Sequence, residues 1–132
     1  MSMIGSVRTT TTQFFVTTAV LEAAAGLAFL LTPALVITLL MASPASHTDI
    51  AIGRLAGAAL LSLGAACWWA RNDAVSAGSR ALVVGMFLYN AAVIAVVLSG
   101  SFGSLSRPIL LAVTVLHAAM AAWCVALLRA GR

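Results

Sequence analysis

The feature that most constrains this chain is residues 54–71, RLAGAALLSLGAACWWAR. Sixteen uncharged, mostly small or apolar residues stand between two arginines, with paired tryptophans at one end. A helix of this length, flanked by cations and interfacial aromatics, is matched to a bilayer's hydrocarbon core. The rest of the chain repeats the pattern. Helices are predicted over residues 14–41, 50–70, 80–98 and 108–128, joined by short polar stretches.

Composition closes off the soluble alternative. Of the 132 residues 63% are hydrophobic and 8% charged. A soluble domain this small has a large surface relative to its volume and needs a charged shell. Three acidic and seven basic residues cannot supply one. The net charge of +4 does not point to nucleic acid, because all seven cations are arginines and most lie beside helix ends. No basic cluster or stacking platform accompanies them, so no nucleic-acid partner is expected. The two cysteines, Cys67 and Cys124, form neither a disulfide framework nor a CxxC motif.

Along the chain, residues 1–13, with four consecutive threonines at 9–12, read as a polar tail. The first apolar run, 14–41, is far longer than a signal-peptide core, so a retained helix is expected despite the small residues at 42–45. Pro33 is its kink site. Residues 42–49 (ASPASHTD) form a turn in which Thr48 and Asp49 can cap the next helix. That helix carries Gly53-x-x-x-Gly57, a flat face that serves either packing within the chain or a contact with a partner. Residues 71–79 and 99–106 are the remaining turns, and Pro108 suits the first turn of the last helix.

The expected fold is all-α: a four-helix transmembrane bundle, up-down-up-down, forming one domain over 1–132. Arg8, Arg71, Arg80, Arg129 and Arg132 fall on the side of the termini, against Arg107 and Arg54 on the other. The positive-inside rule then places both termini in the cytoplasm. Trp68, Trp69, Trp123, Phe14 and Phe15 fall at the same boundary, as an aromatic belt would.

Each predicted helix holds a polar or ionisable group: Glu22, Arg54, Asn90 and His117. At depth an ionisable group costs about 2.5–3.5 kcal/mol on insertion scales, and its default reading is functional. Counting 1.5 Å per residue puts Asn90 and His117 about 16 Å from the cytoplasmic ends, Glu22 about 12 Å and Arg54 about 24 Å. Glu22, Asn90 and His117 can therefore share a pocket, with Thr18, Ala25, Gly26 and Phe29 beside Glu22, and Thr114, Met120, Ala121 and Cys124 beside His117. Tyr89 is open between pocket lining and lipid contact. Arg54 is expected to pair with Asp49 or snorkel to headgroups.

The polar set has three readings: an interhelical hydrogen-bond clasp, a ligand or proton site, or an acid–base pair. Soft donors at His117, Met120, Cys124 and Cys67 suit copper, but Met and Cys are ordinary packing residues and no metal is expected. His47 lies in a loop and cannot pair with His117 around haem. No cofactor is identified.

The run Arg54-Leu55-Ala56-Gly57-Ala58-Ala59-Leu60-Leu61, then Leu63-Gly64 and Ala66-Cys67-Trp68, with Tyr89-Asn90 and Leu116-His117-Ala118-Ala119 downstream, resembles a broad group of small, uncharacterised four-helix bacterial membrane proteins. The resemblance covers most of the second to fourth helices. It implies the topology and a bacterial inner membrane, and no activity.

Three functions remain. The leading one is binding or transport of a small hydrophobic or weakly cationic molecule, or a proton, at Glu22, Asn90, His117 and Arg54, in a homo-oligomer. The second is an accessory subunit of a larger membrane complex, docked through Gly53 and Gly57. The third is a membrane enzyme acting on a lipid or isoprenoid, with Glu22 and His117 as acid and base, although no catalytic spacing is present.

Overall fold

A computed structural model describes residues 3–100 and 107–131, with side chains described from Gly5 to Gly100 and from Pro108 to Gly131. Its elements are α1 (Met3–Leu31), α2 (Pro33–Met41), α3 (His47–Ala70), α4 (Ala77–Leu98) and α5 (Arg107–Ala130). Four of these helices are long and apolar enough to cross a bilayer. The chain is an all-α, four-helix bundle with α2 as a short appendage, and by length and composition a multi-pass membrane protein.

The helix boundaries correct several expectations. The polar tail is not a tail: α1 begins at Met3. The hydroxyls of Thr9, Thr10 and Thr11 donate to the carbonyls of Gly5, Ser6 and Val7 at 3.0, 3.0 and 2.8 Å, and Thr12 donates to the Arg71 carbonyl at 3.2 Å. Threonines satisfied in this way stay within a helix. Pro33 produces a break rather than a kink. Thr32 leaves helical geometry (φ −132°, ψ 49°) and Pro33 opens α2, since it has no N–H for the Phe29 carbonyl.

The cap of α3 is Ser46, with Thr48 already inside the helix. Ser46 Oγ accepts from the Asp49 N–H at 3.2 Å, and the Asp49 carboxylate accepts from the Ser46 N–H at 2.9 Å. This is a reciprocal capping box. Ser76 likewise caps α4, which starts three residues before the expected Arg80. Pro108 sits in the first turn of α5. The loop expected at 99–106 lies, beyond Gly100, outside the described residues, as does Arg132.

The long helices pair as two antiparallel hairpins, α1–α3 and α4–α5, which meet along a narrow seam of α1 on α5 and α3 on α4. The first hairpin is closed by backbone contact. A Cβ built on Gly26 would lie 2.8 Å from the Gly57 carbonyl oxygen, and one on Gly57 would lie 2.8 Å from that of Gly26. Gly64 faces Ala19 and Ala23 of α1, and Gly53 faces Ile37, Pro33 and Phe29. The buried residues of α3 are Gly53, Gly57, Gly64 and Cys67, spaced like the seam of a coiled coil. In a bilayer, where water exclusion does not drive helices together, such close approach supplies the packing. The Gly53 and Gly57 face is thus filled from within the chain.

The second hairpin packs through side chains. Val83 and Met86 of α4 and Met120, Cys124 and Leu127 of α5 form the core with Phe14, Phe15, Ala19 and Cys67. Phe14 and Phe15 are fully buried there rather than part of an interfacial belt. Phe14 meets the Trp123 ring edge-on, with centroids 5.6 Å apart, joining the hairpins. The core occupies the end of the bundle where the termini lie. Arg71, over the Trp68 ring and donating to the Trp68 carbonyl, and Arg80, donating to the Gly131 carbonyl at 3.1 Å, finish that end.

Candidate functional site

Beyond the core a half-open cavity of about 640 Å³ separates the hairpins. This volume falls within the usual range for small-molecule sites. Its wall comes from all five helices: Thr18, Glu22, Ala25 and Phe29 of α1, Val36, Leu40 and Met41 of α2, Leu60 of α3, Tyr89, Asn90, Val93 and Val97 of α4, and Val113, His117 and Met120 of α5. The polar residues gather at the middle of the long helices, against the core. The lining beyond them, toward α2, is aliphatic and aromatic.

Glu22, Asn90 and His117 therefore line one cavity, and Arg54 does not. Arg54 is exposed on α3, off the glycine stripe that turns toward α1. Its suggested partner Asp49 is engaged with Ser46, whose hydroxyl donates to the carboxylate at 2.6 Å. Tyr89 lines the cavity and meets the His117 ring edge-on at 5.9 Å between centroids. Of the neighbours expected at helical spacing, Thr18, Ala25, Phe29 and Met120 line the wall, while Gly26 faces α3 and Cys124 belongs to the core.

Two of the polar side chains are tied to their own helices. Asn90 Nδ2 donates to the Met86 carbonyl at 2.7 Å, and His117 Nδ1 lies 2.9 Å from the Val113 carbonyl oxygen. A carbonyl can only accept, so His117 carries its proton on Nδ1 and its Nε2 is left as an acceptor in the neutral ring. Glu22, half-buried over Gly64, makes no hydrogen bond or ion pair with any described residue. Thr18 is 1% exposed, and its hydroxyl is without a hydrogen-bond partner among the described residues. Thr114, by contrast, donates to the carbonyl one turn back, as Thr9 to Thr11 do.

A buried hydroxyl left unsatisfied costs about 1–3 kcal/mol. A smaller cavity of about 310 Å³ at the core end shows the contrast. There Ser79 donates to the Asp73 carbonyl and Arg80 to that of Gly131, so its polar lining is already engaged. The cysteines are free thiols buried in the core, and no group of three His, Cys, Asp or Glu side chains suited to a metal occurs among the described residues.

Sequence reasoning missed two contributors. The α2 wall could not be read because the turn at Pro33 re-aims the chain, and the direction depends on packing against α3. The orphan hydroxyl of Thr18 is a tertiary property with no sequence signal. Compared with protein-family models, with curated proteins and with solved structures, the chain matches none.

Proposed function

We propose that this membrane protein binds a small, largely apolar molecule with a polar or weakly cationic head in the cavity between its hairpins, and that transport of that molecule would require an oligomer. The observation that carries this reading is Glu22, which lines a large apolar cavity and has no hydrogen-bond or ion-pair partner among the described residues. A clasp that only fixes helix register would pair its polar groups across helices. Here Asn90 and His117 bond within their own helices, and Glu22 and Thr18 bond nothing described.

The accessory-subunit reading relied on the Gly53 and Gly57 face, and α1 and α2 already cover it. The arginine bias supports both termini facing the cytoplasm, and it is the resemblance to small four-helix bacterial membrane proteins that supports a bacterial inner membrane. The test is native mass spectrometry on protein gently extracted from its own membranes. A reproducible small-molecule adduct is expected, depleted in Glu22→Gln and in His117→Ala. Binding by both variants equal to the parent's would overturn the reading.

A further inference from the structure

From the bonding of the wall we infer that the head group taken by this cavity is a hydrogen-bond donor, specifically a protonated primary or secondary amine on an apolar body; this rests on the binding reading above. The inference follows from which valences remain. Asn90 commits its amide N–H to the Met86 carbonyl, so the oxygen is what it can offer. That oxygen has no described partner, and it is not among the buried unsatisfied atoms, so it is accessible to the cavity. His117 commits Nδ1–H to the Val113 carbonyl, and in the neutral ring this leaves the Nε2 lone pair. Glu22 as a carboxylate only accepts.

With Glu22 ionised and the His117 ring neutral, three of the polar groups on the wall present acceptors, and the Tyr89 hydroxyl can act either way. An acceptor-rich wall is complemented by a group with several N–H donors. Charge points in the same direction. Glu22 has no ion-pair partner among the described residues, and Arg54 does not line the cavity. Ionising a carboxyl at this depth without a cation is costly, and an entering ammonium would supply the counter-ion that offsets that cost. A carboxylic acid would meet like charge, and an alcohol would bring a single donor and no charge.

The placement also gives the ligand a direction. Its amine would lie against the core, near mid-membrane, and its apolar body would extend toward Phe29, Val36 and Leu40. A phospholipid, whose charged head stays at the interface, is the wrong way round for this site.

The experiment compares four probes with one tail: n-octylamine, N,N,N-trimethyloctylammonium, n-octanol and octanoate. Each is titrated calorimetrically into the full chain in nanodiscs, with empty nanodiscs subtracted. Octylamine, charged at neutral pH as a lysine side chain is, is expected to bind about tenfold or more tighter than octanol. Octanoate is expected to be weakest, and Glu22→Gln should remove the advantage of octylamine over octanol. Octanol or octanoate binding as well as octylamine would overturn the amine assignment and leave the binding cavity standing. So would equal binding of the trimethylated probe, which has charge without N–H. If no probe binds more than it does to Val93→Trp, whose indole would project beside Asn90 and obstruct the polar end of the cavity, the binding reading itself falls along with the assignment.

Discussion

The two hairpins solve the same problem in different ways. In α1–α3 the helices touch backbone to backbone, and the ideal Cβ positions of Gly26 and Gly57 are blocked at 2.8 Å by carbonyl oxygens of the opposite helix. In α4–α5 the contact is made by side chains such as Met86, Met120 and Cys124, and Gly85 of α4 has nothing within 4 Å of where a Cβ would stand. Backbone contact allows one register and one separation. Side-chain contact can adjust, because rotamers move more cheaply than helix axes. The cavity lies between a fixed wall and an adjustable one.

The sharpest way to break this contrast is Gly57→Leu. Its side chain would have to displace backbone, so loss of the folded hairpin is expected, well beyond the 1–3 kcal/mol or so of ordinary overpacking. Thermal unfolding in detergent, read on the helical signal, would show it; a melting curve like the parent's would mean that the two helices do not approach this closely. Next comes Phe14→Ala, which empties the joint between hairpins and should cost about 3 kcal/mol or more. Spin-label distances from α1 to α5 should broaden while those from α1 to α3 stay sharp. Broadening of both would show that the hairpins are not separate units.

A smaller effect with an unusual sign is expected from Thr18→Val. Removing a buried hydroxyl that has no partner should stabilise the ligand-free protein by about 1 kcal/mol. The same substitution should leave binding unchanged, because the hydroxyl has no surface on the cavity, so stability would move without affinity. Destabilisation would indicate that the hydroxyl already has a partner. The smallest change is Gly85→Ala in the open part of α4, where the melting point should hold or rise slightly, by no more than about 1 kcal/mol equivalent. A loss there would mean that α4 is as closely packed as α3.

What the sequence disclosed about this molecule follows from which forces are local. The four spans were readable because an apolar run of the right length is a property of the run alone. That Glu22, Asn90 and His117 could reach one cavity was readable because helical rise is constant and each lies well inside its apolar run. The start of α1 was hidden because four threonines look like a loop until their hydroxyls are seen to bond within the helix and to Arg71. Gly57 was visible as half of a close contact, but its partner Gly26 was not, since choosing it among the small residues of α1 requires the pairing register. Arg54 was grouped with the others by type although it stands at a different level along its helix, and the rotation of α3 turns it to the exposed side.

The bonds of Asn90 and His117 to carbonyls one turn back have a consequence for selectivity. Each acceptor is fastened to the helix that carries it, so a shift of α4–α5 relative to α1–α3 moves both acceptors together without turning either. For a ligand held there, girth would be accommodated by sliding one hairpin, whereas the chemistry asked of its head group would not change. Such a site would be lenient about width and strict about hydrogen-bond sense.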